Sequence, residues 1–263
     1  MITDQILGMN VNPSTYRNVV ETIRGWLRER IPQSEPGASA NSPHGRFISI
    51  AAVFNIVSAL KDPQLMQIEN SADLVTTDGM PLVWVLRRRG YRECERVYGP
   101  TLMLETLKMA EQDGYPSFFY GCTEQILGKL LLNLKLRYPR LKVAGCYAPP
   151  FRPLTPEENQ QVVDQIIRSG ARLVWVGISS PKQEYWMHQN RPRLPGSVML
   201  GVGAAFLFHS GTIKQAPEVM QRLGLEWLFR LCIEPKRLWR RYLFGNSYFL
   251  WRLMTDRWKR LLT

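Results

Sequence analysis

The clearest reactive group in the chain is an aspartate set directly after an apolar run. Asp78 follows the strand-like segment 73–77, and Gly79 and Pro81 come next. Glycine leaves room for a ligand against the backbone, and Pro81 suits the first turn of a helix whose N-terminus favours anions. Such a carboxylate could take a proton from a hydroxyl group. It could equally cap a turn or a helix, and the residue types alone leave both readings open.

Other groups stand at comparable places. Gly121 follows the run 117–120, Gly177 leads into Ser179-Ser180-Pro181-Lys182-Gln183-Glu184, and a further run ends at Gly201-Val202-Gly203. In an open parallel sheet, ligands bind beyond the carboxyl ends of the strands. Convergence of these ends on one rim with Asp78 would make a small-molecule site, although glycine after a strand is also ordinary turn chemistry. Gln183 could donate to and accept from a sugar or a base edge. Arg96, in Glu95-Arg96-Val97-Tyr98-Gly99-Pro100, reads as part of a turn between helices from which it could reach a phosphate. Arg87, Arg88 and Arg89 close a helix, where cations suit the dipole.

Some chemistries do not fit. Ser179 and Lys182 have the spacing of a nucleophile pair but lack companion motifs. The glycines at 201 and 203 lack the third glycine of the dinucleotide fingerprint, and no Walker lysine loop is present. Cys94, Cys122, Cys146 and Cys232 form no Cys-x-x-Cys pair, and with His44, His188 and His209 they give no metal-ligand spacing. Buried free thiols in a reducing compartment are expected, with no metal and no cofactor.

The elements that must position these groups alternate. Strand-like runs at 47–53, 73–77, 117–120, 142–147, 172–178 and 197–201 are separated by helix-period segments at 14–30, 55–61, 81–89, 102–113, 123–137, 156–169 and 182–190. That alternation predicts an α/β fold with a mostly parallel sheet flanked by helices. Segment 32–45, rich in Ser, Pro, Gly and Asn, reads as a loop.

From about Arg222 the alternation stops, which divides the chain into an α/β domain, 1–221, and a helical appendage, 222–263. The chain has 263 residues and a net charge of +12, and the appendage holds ten Lys/Arg against three acids, with Trp227, Trp239, Trp251 and Trp258. Two helices are expected there, about 235–243 and 247–261, separated by Gly245-Asn246. Arg237, Arg240 and Arg241 share a face of the first. Basic amphipathic helices with tryptophan suit an anionic membrane surface. A tail docked on the core with solvated arginines is the alternative. No secretory signal is expected, and the longest apolar run, 198–208, is too short to span a bilayer.

The motifs, taken in order, resemble one family. Asp78-Gly79-Met80-Pro81, Glu95-Arg96-Val97-Tyr98-Gly99, Tyr120-Gly121, Pro149-Pro150-Phe151, Trp175-Val176-Gly177, Pro181-Lys182-Gln183-Glu184, Gly201 to Phe206 and the Gly224 to Tyr242 tail resemble the WecG/TagA/CpsF glycosyltransferases, glycosyltransferase family 26. The resemblance implies a Rossmann-like fold of the type called GT-E. It also implies inverting, metal-independent transfer of a sugar from a nucleotide-diphosphate donor, a UDP-sugar of glucose, ManNAc or a related hexose, to a polyprenyl-diphosphate-linked sugar. The setting it implies is the cytoplasmic face of the cell membrane, in the building of exopolysaccharide, capsule or cell-wall polymers. Carried over by position, the base falls on Asp78, and substrate contacts fall on Gly79, Arg96, Gly121, Gln183, Gly201 and Gly203. The appendage arginines that would enter the site correspond to Arg230, Arg237, Arg240 and Arg241. The chain departs from the pattern where Ile50-Ala51-Ala52 replaces Thr-x-Asn, where Leu207 replaces an aspartate, and at Ser179-Ser180. These positions bear on the donor sugar. A homo-oligomer is compatible with the sequence. Nucleic-acid binding would suit the charge but does not explain Asp78, and neither it nor a non-catalytic membrane scaffold is expected.

Overall fold

The computed structural model describes residues 1–29, 44–217, 219–220 and 224–262, with only the backbone described at 237, 241 and 257–262. A short hairpin, β1 (Asp4–Ile6) and β2 (Met9–Val11), precedes α1 (Tyr16–Arg28). Then follow β3 (Arg46–Ala51), α2 (Val53–Lys61), α3 (Pro63–Asn70), β4 (Leu74–Thr77), α4 (Met80–Arg88), α5 (Gly99–Asp113), β5 (Ser117–Gly121), α6 (Glu124–Arg137), β6 (Val143–Tyr147), α7 (Pro156–Arg168), β7 (Leu173–Gly177), α8 (Lys182–Asn190), β8 (Val198–Gly201) and α9 (Ala205–His209). The appendage forms α10 (Glu226–Ile233) and α11 (Pro235–Leu262).

Strands β3 to β8 form one sheet in the order β4-β3-β8-β7-β5-β6, and every pairing in it is parallel. Successive side chains of a strand point to opposite faces, and both faces are apolar. Ile48, Ile50, Phe119, Leu173, Trp175, Val198 and Leu200 pack with α1, α5, α6 and α9 on one side. Phe47, Phe118, Tyr120, Val174, Val176 and Met199 pack with α7 and α8 on the other. The connection from β4 to β5, carrying α4 and α5, passes over β3, β8 and β7. All strand ends therefore meet one rim, but they spread along its whole length.

Local sequence explains the helix starts. Thr155 caps α7 in a capping box with Glu158. Asp62 caps α3 by accepting from the amides of Gln64 and Leu65, and Pro63 opens that helix. Gly114 closes α5 in the left-handed region, φ 77°.

The sequence reading needs correction in three places. The run 47–53 is not all strand, because α2 begins at Val53. The appendage does not hold two helices separated at Gly245-Asn246: α11 is continuous from Pro235 to Leu262. Glycine in a helix costs about 1 kcal/mol. Phe249, only 1% exposed, packs in the cluster that holds Ile56 of α2 and Leu82 and Val83 of α4. Burying such a side chain contributes about 1.5–3 kcal/mol, which offsets the glycine and ties the tail to the core. Finally, of the cysteines, all free, Cys94 alone is buried; Cys122 and Cys146 are half-buried and Cys232 is exposed. The expected loop at 32–45 lies, apart from its last two residues, outside the described residues.

Candidate active site

Asp78 leaves the end of β4 with its amide donating to the Ala51 carbonyl at 2.8 Å, so its backbone is fixed to the end of β3. From there its side chain reaches the floor of a cavity of about 860 Å³, within the range usual for small-molecule sites. Two helix N-termini open on this cavity. Ala52 and Val53 begin α2, and Gly79, Met80 and Pro81 begin α4. Both dipole ends favour negative charge there.

Arg96 organises the floor. Its Nε donates to the Asp78 carbonyl at 2.6 Å, and its Nη2 donates to Asp78 Oδ1 at 3.1 Å and to Glu226 Oε2 at 2.8 Å. Its guanidinium lies 4.3 Å over the Tyr98 ring. The side chains of Asp78, Arg96 and Glu226 are 24%, 16% and 6% exposed, so Asp78 is the carboxylate most open to a ligand. Burial pushes Asp78 up to about 6; Arg96 pulls it down, Glu226 pushes it further up, and Arg230 pulls it down. The Tyr98 hydroxyl is held protonated by burial and by the charges of Glu226 and Asp78. The Tyr16 hydroxyl accepts from the Tyr98 amide at 3.0 Å, and burial raises it as well.

The lining of the cavity is of two unlike kinds. Asp78, Arg96, Glu226 and Arg230 form a charged group, whereas Trp84 and Val85 of α4 and Phe249, Leu250 and Leu253 of α11 supply apolar surface, and Arg87 and Arg88 also line it. Trp84 is 52% exposed and Leu250 55%. Trp239, Leu243, Leu250 and Met254 are all exposed, and their helical spacing lays them along one face of α11. No helix among the described residues is long and apolar enough to cross a membrane.

Of the residues singled out in the sequence, Asp78, Gly79, Arg96 and Arg230 meet at this cavity. Arg96 does so already engaged with carboxylates. Gln183 is buried under the rim, where its carboxamide accepts from the Gly203 amide at 3.1 Å and donates to Glu184 Oε1 at 3.0 Å. Gly201 and Gly121 serve close packing: a Cβ at Gly201 would stand 2.8 Å from Gln183, and one at Gly121 would stand 2.5 Å from the Gly177 carbonyl. Gly121, Gln183, Gly201 and Gly203 thus lie on the rim but outside the cavity. Arg240 is exposed, stacked 5.2 Å over Trp239. The side chains of Arg237 and Arg241 lie outside the described residues. Sequence reasoning missed Glu226, Trp84 and Phe249. The available signal for Glu226 was an acid in the first turn of a helix within a strongly basic tail.

Among the described residues no group of three or more His, Cys, Asp or Glu is placed to hold a metal ion.

Known proteins share this arrangement of sequence. A protein of Bacillus spizizenii named N-acetylglucosaminyldiphosphoundecaprenol N-acetyl-beta-D-mannosaminyltransferase is 31% identical over 204 residues, covering 78% of this chain and 77% of the relative. One of the same name from Bacillus subtilis is 30% identical over 203 residues, covering 77% of each. The model of the glycosyl transferase WecG/TagA/CpsF family matches residues 4–262, from the hairpin to the last turn of α11. The chain therefore belongs to the WecG/TagA/CpsF family and is a glycosyltransferase.

Proposed function

We propose that the chain moves a hexose from a UDP-sugar to a polyprenyl-diphosphate-linked sugar, with inversion and without a metal ion, while lying on the inner face of the cell membrane. The observation that carries this reading is a cavity lined both by a charged group and by apolar side chains. A raised carboxylate with arginines suits a hydroxyl attacking a glycosyl diphosphate. The apolar lining, with Trp84 and Leu250 exposed, suits a prenyl chain. The acceptor class is also the one in the names of the relatives, N-acetylglucosaminyldiphosphoundecaprenol.

In a single displacement, the acceptor hydroxyl gives its proton to Asp78 as its oxygen bonds to the anomeric carbon. The bond from that carbon to the donor's diphosphate oxygen breaks on the opposite face. The departing diphosphate carries the negative charge, which Arg230 and the N-terminus of α4 stabilise. Asp78 is ionised at neutral pH, and at a value of about 6 it is a stronger base than a free aspartate. The exposed stripe of α11 and the basic tail hold the protein at the bilayer surface. ManNAc, the sugar named in the relatives, and glucose are the donors to compare. Ala52 offers only a methyl group where α2 opens into the cavity.

The test is transfer from a panel of UDP-hexoses to a polyprenyl-diphosphate-linked acceptor sugar, with and without chelator, and the anomer of the product read by NMR. Transfer should require the lipid acceptor, survive chelation and invert. Asp78→Asn should lower turnover about 10²–10⁴-fold; near-normal turnover would reject Asp78 as the base.

A further inference from the structure

We infer that Glu226, carried by the tail, is a positioning residue that frees Asp78 to act as a base by taking up the charge of Arg96. The inference rests on the reading of Asp78 given above. The geometry is that of a shared cation. One guanidinium nitrogen, Nη2 of Arg96, serves both carboxylates, and the shorter bond, 2.8 Å, goes to Glu226, while Asp78 receives 3.1 Å. The Arg96 Nε is occupied by the Asp78 main chain and adds no second bond to the Asp78 carboxylate. Glu226 is also the more deeply buried of the two acids. It draws the positive charge away from the group open to the ligand and places a second negative charge behind it.

A carboxylate held by an arginine alone is a poor base, because the ion pair favours its ionised form. The groups facing Asp78 are Arg96 from the connection between α4 and α5, Glu226 and Arg230 from α10, and the phenols of Tyr98 and Tyr16, while Arg87 and Arg88 lie farther along the same cavity. Burial raises Asp78, and of the charged groups that act on it most strongly Glu226 is the one that raises it further. Glu226 reaches Arg96 across 130 residues of sequence, so the base is tuned only when the tail is docked. The tail thereby contributes to the chemistry as well as to placement at the bilayer.

Glu226→Gln tests this, because the amide oxygen can still accept from Arg96 while the charge is lost. The rising limb of kcat/KM against pH reports the base in the free enzyme. It should fall near 6 in the unaltered protein and move about one pH unit lower in the variant, with a plateau reduced about 3–10-fold for the weaker base. Glu226→Asp, which keeps the charge, should keep the limb near its original pH. If Glu226→Gln does not fold by circular dichroism, Glu226→Ser, which admits water in place of the side chain, carries the same expectation. An unmoved limb in the neutral variant would overturn the inference. So would complete loss of turnover matching Asp78→Asn, which would make Glu226 itself the base. A limb that is absent from the unaltered protein, or one that persists in Asp78→Asn, would overturn the reading of Asp78 instead.

Discussion

The protein buries two pairs of carboxylates and treats them in opposite ways. At the cavity, Asp78 and Glu226 share one arginine. Under the neighbouring rim, Glu69 of α3 and Glu184 of α8 meet only neutral donors among the described residues. Asn55 Nδ2 donates to Glu69 Oε1 at 3.1 Å and to Glu184 Oε1 at 3.5 Å, and Gln183 donates to Glu184. Among the described residues, Oε2 of each has no hydrogen-bond partner, and both residues are fully buried. Burial raises both carboxyls, Glu184 to about 7 with the help of Glu69. An amide can orient a carboxyl but cannot neutralise it, so the sealed pair holds a proton. In the open pair a guanidinium stands between the two members. The difference lies in one cation, which Asp78 and Glu226 share and Glu69 and Glu184 lack.

Removing that cation should break the contrast most sharply. Arg96→Met leaves Asp78 and Glu226 buried together, and loss of one partner of a buried pair typically costs about 3–5 kcal/mol. Chemical denaturation at pH 8 should show that loss, and acid should recover part of it as Asp78 takes up a proton. An unchanged midpoint would mean that water, not Arg96, holds the two charges.

The sealed pair gives the next effect. A carboxyl raised in the folded state contributes most below its unfolded value and loses that contribution as pH rises through the folded value. Stability of the unaltered protein should therefore fall between about pH 5 and 8 through Glu184 and Glu69. Glu184→Gln should flatten that fall and gain about 1–3 kcal/mol at pH 8. Denaturant midpoints across this range check it; parallel curves for the two proteins would show that the pair does not hold a proton.

The smallest effect concerns Asp78 itself. Its raised value marks a stability cost above pH 6, reduced because the side chain is partly open and bonded to Arg96. Asp78→Asn should raise stability by about 1 kcal/mol at pH 8, little at pH 4, and lose activity, the usual exchange at a reactive site. A thermal midpoint lowered at pH 8 would show that Arg96 needs this carboxylate more than burial opposes it.

Much of this was legible from local sequence, and the limits have physical causes. The six strands of the sheet read as short apolar runs, those before Asp78, Gly121, Gly177 and Gly201 to Gly203 marked by a turn residue, whereas the run 47–53 has no such stop and reads two residues too long; Asp78 stood out by following one. The parallel order placed it on the rim. The helix α3 escaped notice although Asp62-Pro63 is a clear start, because eight residues carry too little periodicity. The β1–β2 hairpin has strands of three residues, too short for alternation to register. Continuity of α11 through Gly245 depends on packing against α2 and on Phe249, which no local pattern encodes. The partners of Arg96 and of Glu184 lie far away in sequence, and the charge logic of both carboxylate pairs exists only once the chain has folded.

Gly224, near the start of the tail, has no side chain to lose. It sits at a φ of 71°, and a Cβ there would stand 2.8 Å from Cγ of Met80, the first residue of α4. The segment entering α10 crosses the mouth of α4 with no clearance. A single added methyl group there would press on the Met80 side chain and strain a backbone held at positive φ. The start of the tail is thus seated against α4 by the absence of one carbon atom.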